Sequence, residues 1–110
     1  MAGYFALGKG STGKFTFNLK SGNHQTILTS EAYESREAAL AGIGSVQKNS
    51  GDDARYERKV AKNGQPYFVL KAANGQVVGR SELYTTAAAM EKGIASVKEN
   101  GGSQDVRDAS

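Results

Sequence analysis

The sequence predicts a single α+β domain built from two tandem β-β-β-α-β repeats, on three observations. Sliding the 110-residue chain against itself by 51 places superimposes residues 13–51 on 64–102 with sixteen identities in thirty-nine positions. Each copy then passes from a two-residue to a helical hydrophobic period at the same point. No Pro-rich or Ser-rich linker divides the copies, and the stretch DDARYERKVAKNG between them is charged but strand-like. One fused body over 1–110 is therefore expected, with repeat one at about 1–54 and repeat two at about 55–110.

The elements follow in order. A first strand is expected at about 3–8 and its counterpart at about 55–61, with Phe5 aligned to Tyr56. Turns come next at Gly10–Gly13 and Lys62–Gly64. Phe15, Phe17 and Leu19 then alternate with Thr16, Asn18 and Lys20, the pattern of a strand with one buried face, and Phe68 and Leu70 keep that face in repeat two. The Asn74-Gly75 pair that follows supplies the positive φ angles of a tight hairpin. Repeat one has Asn23-His24 there, so His24 reads as a turn residue at a glycine position. Third strands near Gln25–Ser30 and Gln76–Ser81 lead into a repeated Ser-Glu-x-Tyr sequence.

Ser35 and Thr86 stand where an N-cap hydroxyl can accept from a first-turn amide. Ala39, Ile43 and Val46, and likewise Met90, Ile94 and Val97, recur at helical spacing and lay one apolar stripe of each helix on the sheet. Asn49-Ser50-Gly51 and Asn100-Gly101-Gly102 predict left-handed helix ends. Gly42 and Gly93 fall inside the helices, where glycine costs about 1 kcal/mol against alanine, so a close backbone approach is expected at both. Short final strands are expected at Asp53–Arg55 and Gln104–Asp108.

Composition limits the chemistry. With no Cys and one His, the chain has no disulfide, no thiolate metal site, no cysteine nucleophile and no histidine cluster. No apolar stretch approaches the roughly 20 residues of a membrane span, and the N-terminus is not that of a secretory signal. A cytoplasmic protein without a membrane partner is the expectation. The net charge of +3 is spread along the chain: five positive and three negative side chains in residues 1–51, nine and eight in 52–110. Arg55, Arg58, Lys59 and Lys62 form the one local excess, and lysines on an edge strand also discourage edge-to-edge pairing.

The runs KSGNHQTILTSEAYESREAALAGIGSV and KAANGQVVGRSELYTTAAAMEKGIASV resemble two copies of the roughly fifty-residue unit of the YegP-like family of uncharacterised bacterial proteins. Lys71, Ala72, Asn74, Gly75, Ser81, Glu82, Tyr84, Gly93, Ile94, Ser96 and Val97 carry the signature in repeat two, while repeat one departs at Ser21 and His24. The resemblance implies that the two copies join in one antiparallel sheet with two helices packed on it and exchange their C-terminal strands. It implies no established activity.

Ser30, Glu31 and Tyr33, with Ser81, Glu82 and Tyr84, are the most chemically suggestive residues, because hydroxyl, carboxylate and phenol gather at a strand end before a helix. Facing each other across a pseudo-twofold axis, Glu31 and Glu82 could form an acid/base pair if their environments separated their pKa values. The structural alternative is favoured: each Tyr buries its ring under the helix with its hydroxyl on a backbone partner, while Ser and Glu tie the corner. Neither Ser sits in a nucleophile-elbow pattern, and KGSTG at 9–13 reads as a turn rather than a phosphate loop. The expected function is a small non-catalytic interaction module with a protein partner, using no cofactor and no metal, and monomeric because its repeats mimic a dimer. The alternative is a weak nucleic-acid binder in which Lys20, Arg58, Lys59 and Lys71 meet phosphates and Tyr67 stacks on a base.

Overall fold

The computed structural model describes residues 3–109. Repeat one supplies β1 (Tyr4–Lys9), β2 (Phe15–Lys20), β3 (Thr26–Ser30) and α1 (Arg36–Asn49). Repeat two supplies β4 (Tyr56–Val60), β5 (Pro66–Lys71), β6 (Val77–Arg80), α2 (Ala87–Asn100) and β7 (Val106–Asp108). All seven strands form one sheet in the order β4-β5-β6-β3-β2-β1-β7. The alternation read from sequence sets the register: Phe5 faces Leu19 and Leu7 faces Phe17 across β1–β2, and Tyr56 faces Leu70 and Arg58 faces Phe68 across β4–β5. Their apolar members point to one side, where Ala39, Ile43, Val46, Met90, Ile94 and Val97 from the helices complete a single core. Among the described residues no helix is long and apolar enough to cross a membrane.

The hydroxyls of Ser35 and Thr86 each accept from an amide three residues on, at 3.1 Å, as N-caps should. His24 adopts φ +69°, beside Gly75 at +86° in the matching hairpin. The KGSTG turn closes on backbone hydrogen bonds, with Gly13 at φ +83° matching Gly64 at +87°.

The structure differs from the sequence reading in three places. The sheet is mixed: six strands run antiparallel as expected, but β7 joins β1 in parallel, Val106 opposite Phe5. This is half of the expected exchange, since repeat two lends its last strand to repeat one. Repeat one lends nothing back, because Asp53–Arg55 is not a strand but a 3₁₀ turn capped by the Asp52 carboxylate on the Ala54 amide at 3.0 Å. The turn feeds the chain directly into β4, which stays at the open edge. Its Lys59 and Arg58 are the charges that deter another strand there.

Nor do the helices end in left-handed residues: the C-caps Ser50 and Gly101 remain helical at φ −63° and −67°. Side chains do the capping instead. Asn49 Nδ2 donates to the Ser45 carbonyl and Asn100 Nδ2 to the Ser96 carbonyl, both at 2.8 Å. Gly101 is needed for space, because a Cβ there would overlap the side chain of Ser50, where the two helix ends meet.

Candidate functional site

Each Ser-Glu-x-Tyr sequence turns the chain from strand to helix, and the serine makes the corner. Ser30 Oγ accepts from the Phe17 amide at 2.8 Å and donates to the Glu31 carbonyl at 2.7 Å. Ser81 repeats this with the Phe68 amide at 3.0 Å and the Glu82 carbonyl at 2.7 Å. A buried hydroxyl with both roles engaged is a structural tie and not a poised nucleophile.

Tyr33 and Tyr84 lie half-buried under their helices. Tyr33 stacks on Phe17 with ring centroids 6.2 Å apart, and Tyr84 on Phe68 at 6.4 Å. Mid-helix glycines make the room: a Cβ at Gly42 would overlap the Tyr33 hydroxyl, and one at Gly93 the Tyr84 hydroxyl. The close approach expected at both glycines is thus to the tyrosine. The expected backbone partner for the hydroxyl is not found; among the described residues neither oxygen has a hydrogen-bond partner. Burial, and then the charge of Glu31 or Glu82, raises each phenol above its ordinary pKa, so both stay protonated.

The two corners do not face each other. Glu31 and Tyr33 line one groove of about 500 Å³, and Glu82 and Tyr84 line another of about 630 Å³. An acid/base pair between the two glutamates is therefore not assembled. Each groove has one wall from the corner and helix of one repeat and the other wall from the hairpin of its sister: Ala38, Gly42 and Ser45 against Asn74 and Gln76, or Ala89, Gly93 and Ser96 against Asn23 and Gln25. Neither repeat could form a groove alone.

All eleven residues that line the smaller groove have their counterparts, 51 places away, in the larger one. Seven of the eleven pairs are identical, a higher share than the sixteen in thirty-nine of the aligned repeat. Turn chemistry accounts for asparagine, since Asn74 Oδ1 accepts from the Gln76 amide at 3.0 Å and Asn63 Oδ1 accepts likewise from Gln65 at the same distance, away from both grooves. Packing accounts for tyrosine and glycine. Neither accounts for Glu82, Ala38/Ala89 or Ser45 on the groove surface, whereas Arg80 holds Glu31 at 3.1 Å and Ser96 Oγ accepts from Asn100 Nδ2 at 3.3 Å. Sequence reasoning passed over the hairpin and helix residues because each has a local explanation, and only the fold brings them together across the repeats.

The basic set is dispersed. Arg58 points to the helix side, where it holds Glu91 at 2.6 and 3.0 Å and Asp53 at 3.1 Å. On the opposite face Lys71 pairs with Glu57 at 2.6 Å, and Lys59 lies 3.9 Å from the same carboxylate. Lys59 is in register with Tyr67, whereas Lys20 lies on β2, three strands beyond β5, with β6 and β3 between. These residues make no continuous cationic surface. Among the described residues no three His, Asp or Glu come together as a metal site.

Comparison with known proteins decides the family. The domain family described as "Domain of unknown function (DUF1508)" matches twice, at residues 11–57 and 61–108. The chain belongs to this family. Its DUF1508 units correspond to the two repeats seen in the sheet. Similar proteins include UPF0339 protein YegP of Escherichia coli (strain K12), 56% identical over 98% of either chain. A UPF0339 protein of Bordetella pertussis is 59% identical over 91% of this chain and 89% of its own. The solution NMR structure of yegP from Escherichia coli, a protein of unknown function, superimposes with a TM-score of 0.94 over 99% of this chain and 94% of that one. That of a UPF0339 protein from Shewanella oneidensis, 50% identical, gives 0.92 over 98% and 92%. These relatives carry the tandem α+β architecture, and none of their names specifies a catalytic activity.

Proposed function

We propose that this DUF1508 protein is a non-catalytic binding module with two equivalent docking grooves, each of which receives a segment of a protein partner. The observation that carries the reading is the repetition of the groove itself: seven of the eleven residue pairs that line it, Glu31/Glu82 and Ser45/Ser96 among them, are identical in the two copies. Serine hydroxyls already tied to backbone and glutamates in separate grooves argue against turnover. A polar wall, a tyrosine edge and a helix face of small residues suit an extended chain whose backbone needs hydrogen-bond partners along its length.

The test is capture of partners by the full chain from native extract, with nuclease present, against a variant with Ala38→Arg and Ala89→Arg that fills both grooves. Capture that resists nuclease, saturates at two sites and is lost in the variant, while its melting temperature holds, supports the module. Capture that nuclease abolishes would replace it with nucleic-acid binding, and capture indifferent to the variant would move the interface elsewhere.

A further inference from the structure

Among the described residues no strand lies beyond β4. Its outward backbone groups can be named. In β5, the Phe68 carbonyl accepts from the Ser81 amide at 2.9 Å, the Phe68 amide donates to Ser81 Oγ at 3.0 Å, and the Pro66 carbonyl accepts from the Tyr84 amide at 2.8 Å. Phe68 and Pro66 thus spend their backbone away from β4, so Arg58 and Val60, which stand opposite them, turn their amides and carbonyls to the free side. Tyr56, two residues before Arg58, turns its carbonyl the same way, while its amide is held by the Asp53 carbonyl. In repeat one the equivalent groups of Phe5 and Leu7 hold the segment that carries β7.

The residues along this edge, Tyr56-Glu57-Arg58-Lys59-Val60, complement their own reverse. Laid antiparallel on a second copy with Arg58 opposite Arg58, the edge brings each Tyr56 carbonyl to a Val60 amide and each Arg58 amide to the other's carbonyl. The same register sets both glutamates at 57 opposite the lysines at 59 on the open face of the sheet. On the helix side Val60, 69% exposed, comes against Tyr56. Each Arg58 arrives with its charge already held by Glu91 and Asp53. Slipping one chain by a residue sets outward groups against inward ones, and slipping it by two opposes Glu57 to Glu57 or Lys59 to Lys59.

We propose that β4 is a self-association edge: two chains pair through it about a twofold axis, and their sheets run on as one. The charges that turn away other strands select this one. The other edge offers nothing comparable, because β7 has only three residues. The pairing departs from the monomer expected of a chain whose repeats mimic a dimer, since the internal axis leaves β4 without a neighbour. Two short strands make a small interface, so association belongs to high protein concentration. It does not depend on the grooves.

The experiment is sedimentation equilibrium of the full chain from micromolar to millimolar concentration, with amide exchange followed by NMR on the same samples. We expect the mass to rise from one chain toward two as protection grows at the Arg58 and Val60 amides. Val60→Pro removes an outward donor that β5 does not use, and should weaken association about tenfold with the melting temperature held. Glu57→Lys and Lys59→Glu should each weaken self-association about tenfold, and the two variants mixed should pair with each other as well as the native chain pairs with itself. Where Val60→Pro also lowers the melting temperature, the mixture decides. A single-chain mass at every concentration, association indifferent to Val60→Pro at native stability, or a mixture no stronger than its two parts would each overturn the proposal.

Discussion

Leu28 and Gly79 are counterparts in the two repeats, and they touch. A Cβ on Gly79 would lie 2.8 Å from Leu28 Cγ and 3.2 Å from the Thr29 carbonyl oxygen. The same holds at the helix ends, where Gly101 abuts its own counterpart, Ser50. Equivalent residues meet only on a symmetry axis, so the pseudo-twofold axis passes through both pairs, between β3 and β6. There the chain has relieved a collision with itself by keeping one glycine in each pair. Gly79→Ala should therefore lower stability by about 1–3 kcal/mol, the usual cost of overpacking. The swap Leu28→Gly with Gly79→Leu should recover most of it in urea denaturation. A swap no better than the single variant would contradict this placement of the axis.

Gly93 and Tyr84 define a second steric pair. Helix propensity alone would make Gly93→Ala stabilising by about 1 kcal/mol, but the added methyl meets a ring that Phe68 already holds from below. We expect Gly93→Ala to melt several degrees lower and Gly93→Leu lower still. In a Tyr84→Ala background the sign should reverse, because only propensity then remains. A double-mutant cycle with no coupling would show that the ring moves aside freely.

Replacing Ser81 with alanine strands the Phe68 amide in the core and frees the Glu82 carbonyl. The expected loss is about 1–3 kcal/mol for an unsatisfied buried donor. Ser30→Ala should match it, because the geometry is repeated. Ser81→Thr, which keeps the oxygen, should lose less in the same measurement.

Acid stability should depend on the junction between the repeats. Hydrogen bonds from Lys98 and then Arg58 hold the Asp53 carboxyl below its ordinary pKa, and Arg58 does the same for Glu91. A carboxyl lowered on folding adds stability above its unfolded pKa of about 4 and loses it as pH falls through the folded value. Asp53→Asn should thus melt below the native protein at pH 7, and the two should converge as pH falls below about 3. All four side chains are exposed, so the gap should narrow in concentrated salt. A gap that persists undiminished at low pH would rule out this ionic account.

Local rules made most of the fold legible. Period-two runs placed the strands, hydroxyls placed both N-caps, and the 51-residue offset exposed the duplication together with its paired glycines. What failed lay beyond the reach of local chemistry. Asp53–Arg55 and Val106–Asp108 occupy overlapping positions of the repeat, yet one is a turn and the other a strand. The difference is that the first is tethered at once to β4, while the second has the uncovered edge of β1 beside it. Asn49 and Asn100 looked like left-handed caps, and only the structure turns their amides back on their own helices. The grooves were hidden for a similar reason: their walls come from opposite repeats, so no window of sequence contains one.

The axis also makes the two halves unequal as separate chains. Two copies of residues 1–51 arranged like the intact protein would set Leu28 against Leu28 and Ser50 against Ser50. Two copies of 52–110 would set Gly79 against Gly79 and Gly101 against Gly101, which leaves space in place of a collision. Neither half alone can cover the core face of its three-stranded sheet, because α1 packs on β5 and β6 as well as on β2, and α2 on β2 and β3 as well as on β5. Residues 1–51 should then be largely unfolded at all accessible concentrations. Residues 52–110 should fold only as they dimerise, so that chemical-shift dispersion and sedimentation mass rise together with concentration. Mixing the two should restore the native spectrum in preference to either homodimer. A first half that is folded and monomeric, or a second half that stays folded on dilution, would mean that each repeat completes its own core and that the axis is only a docking plane.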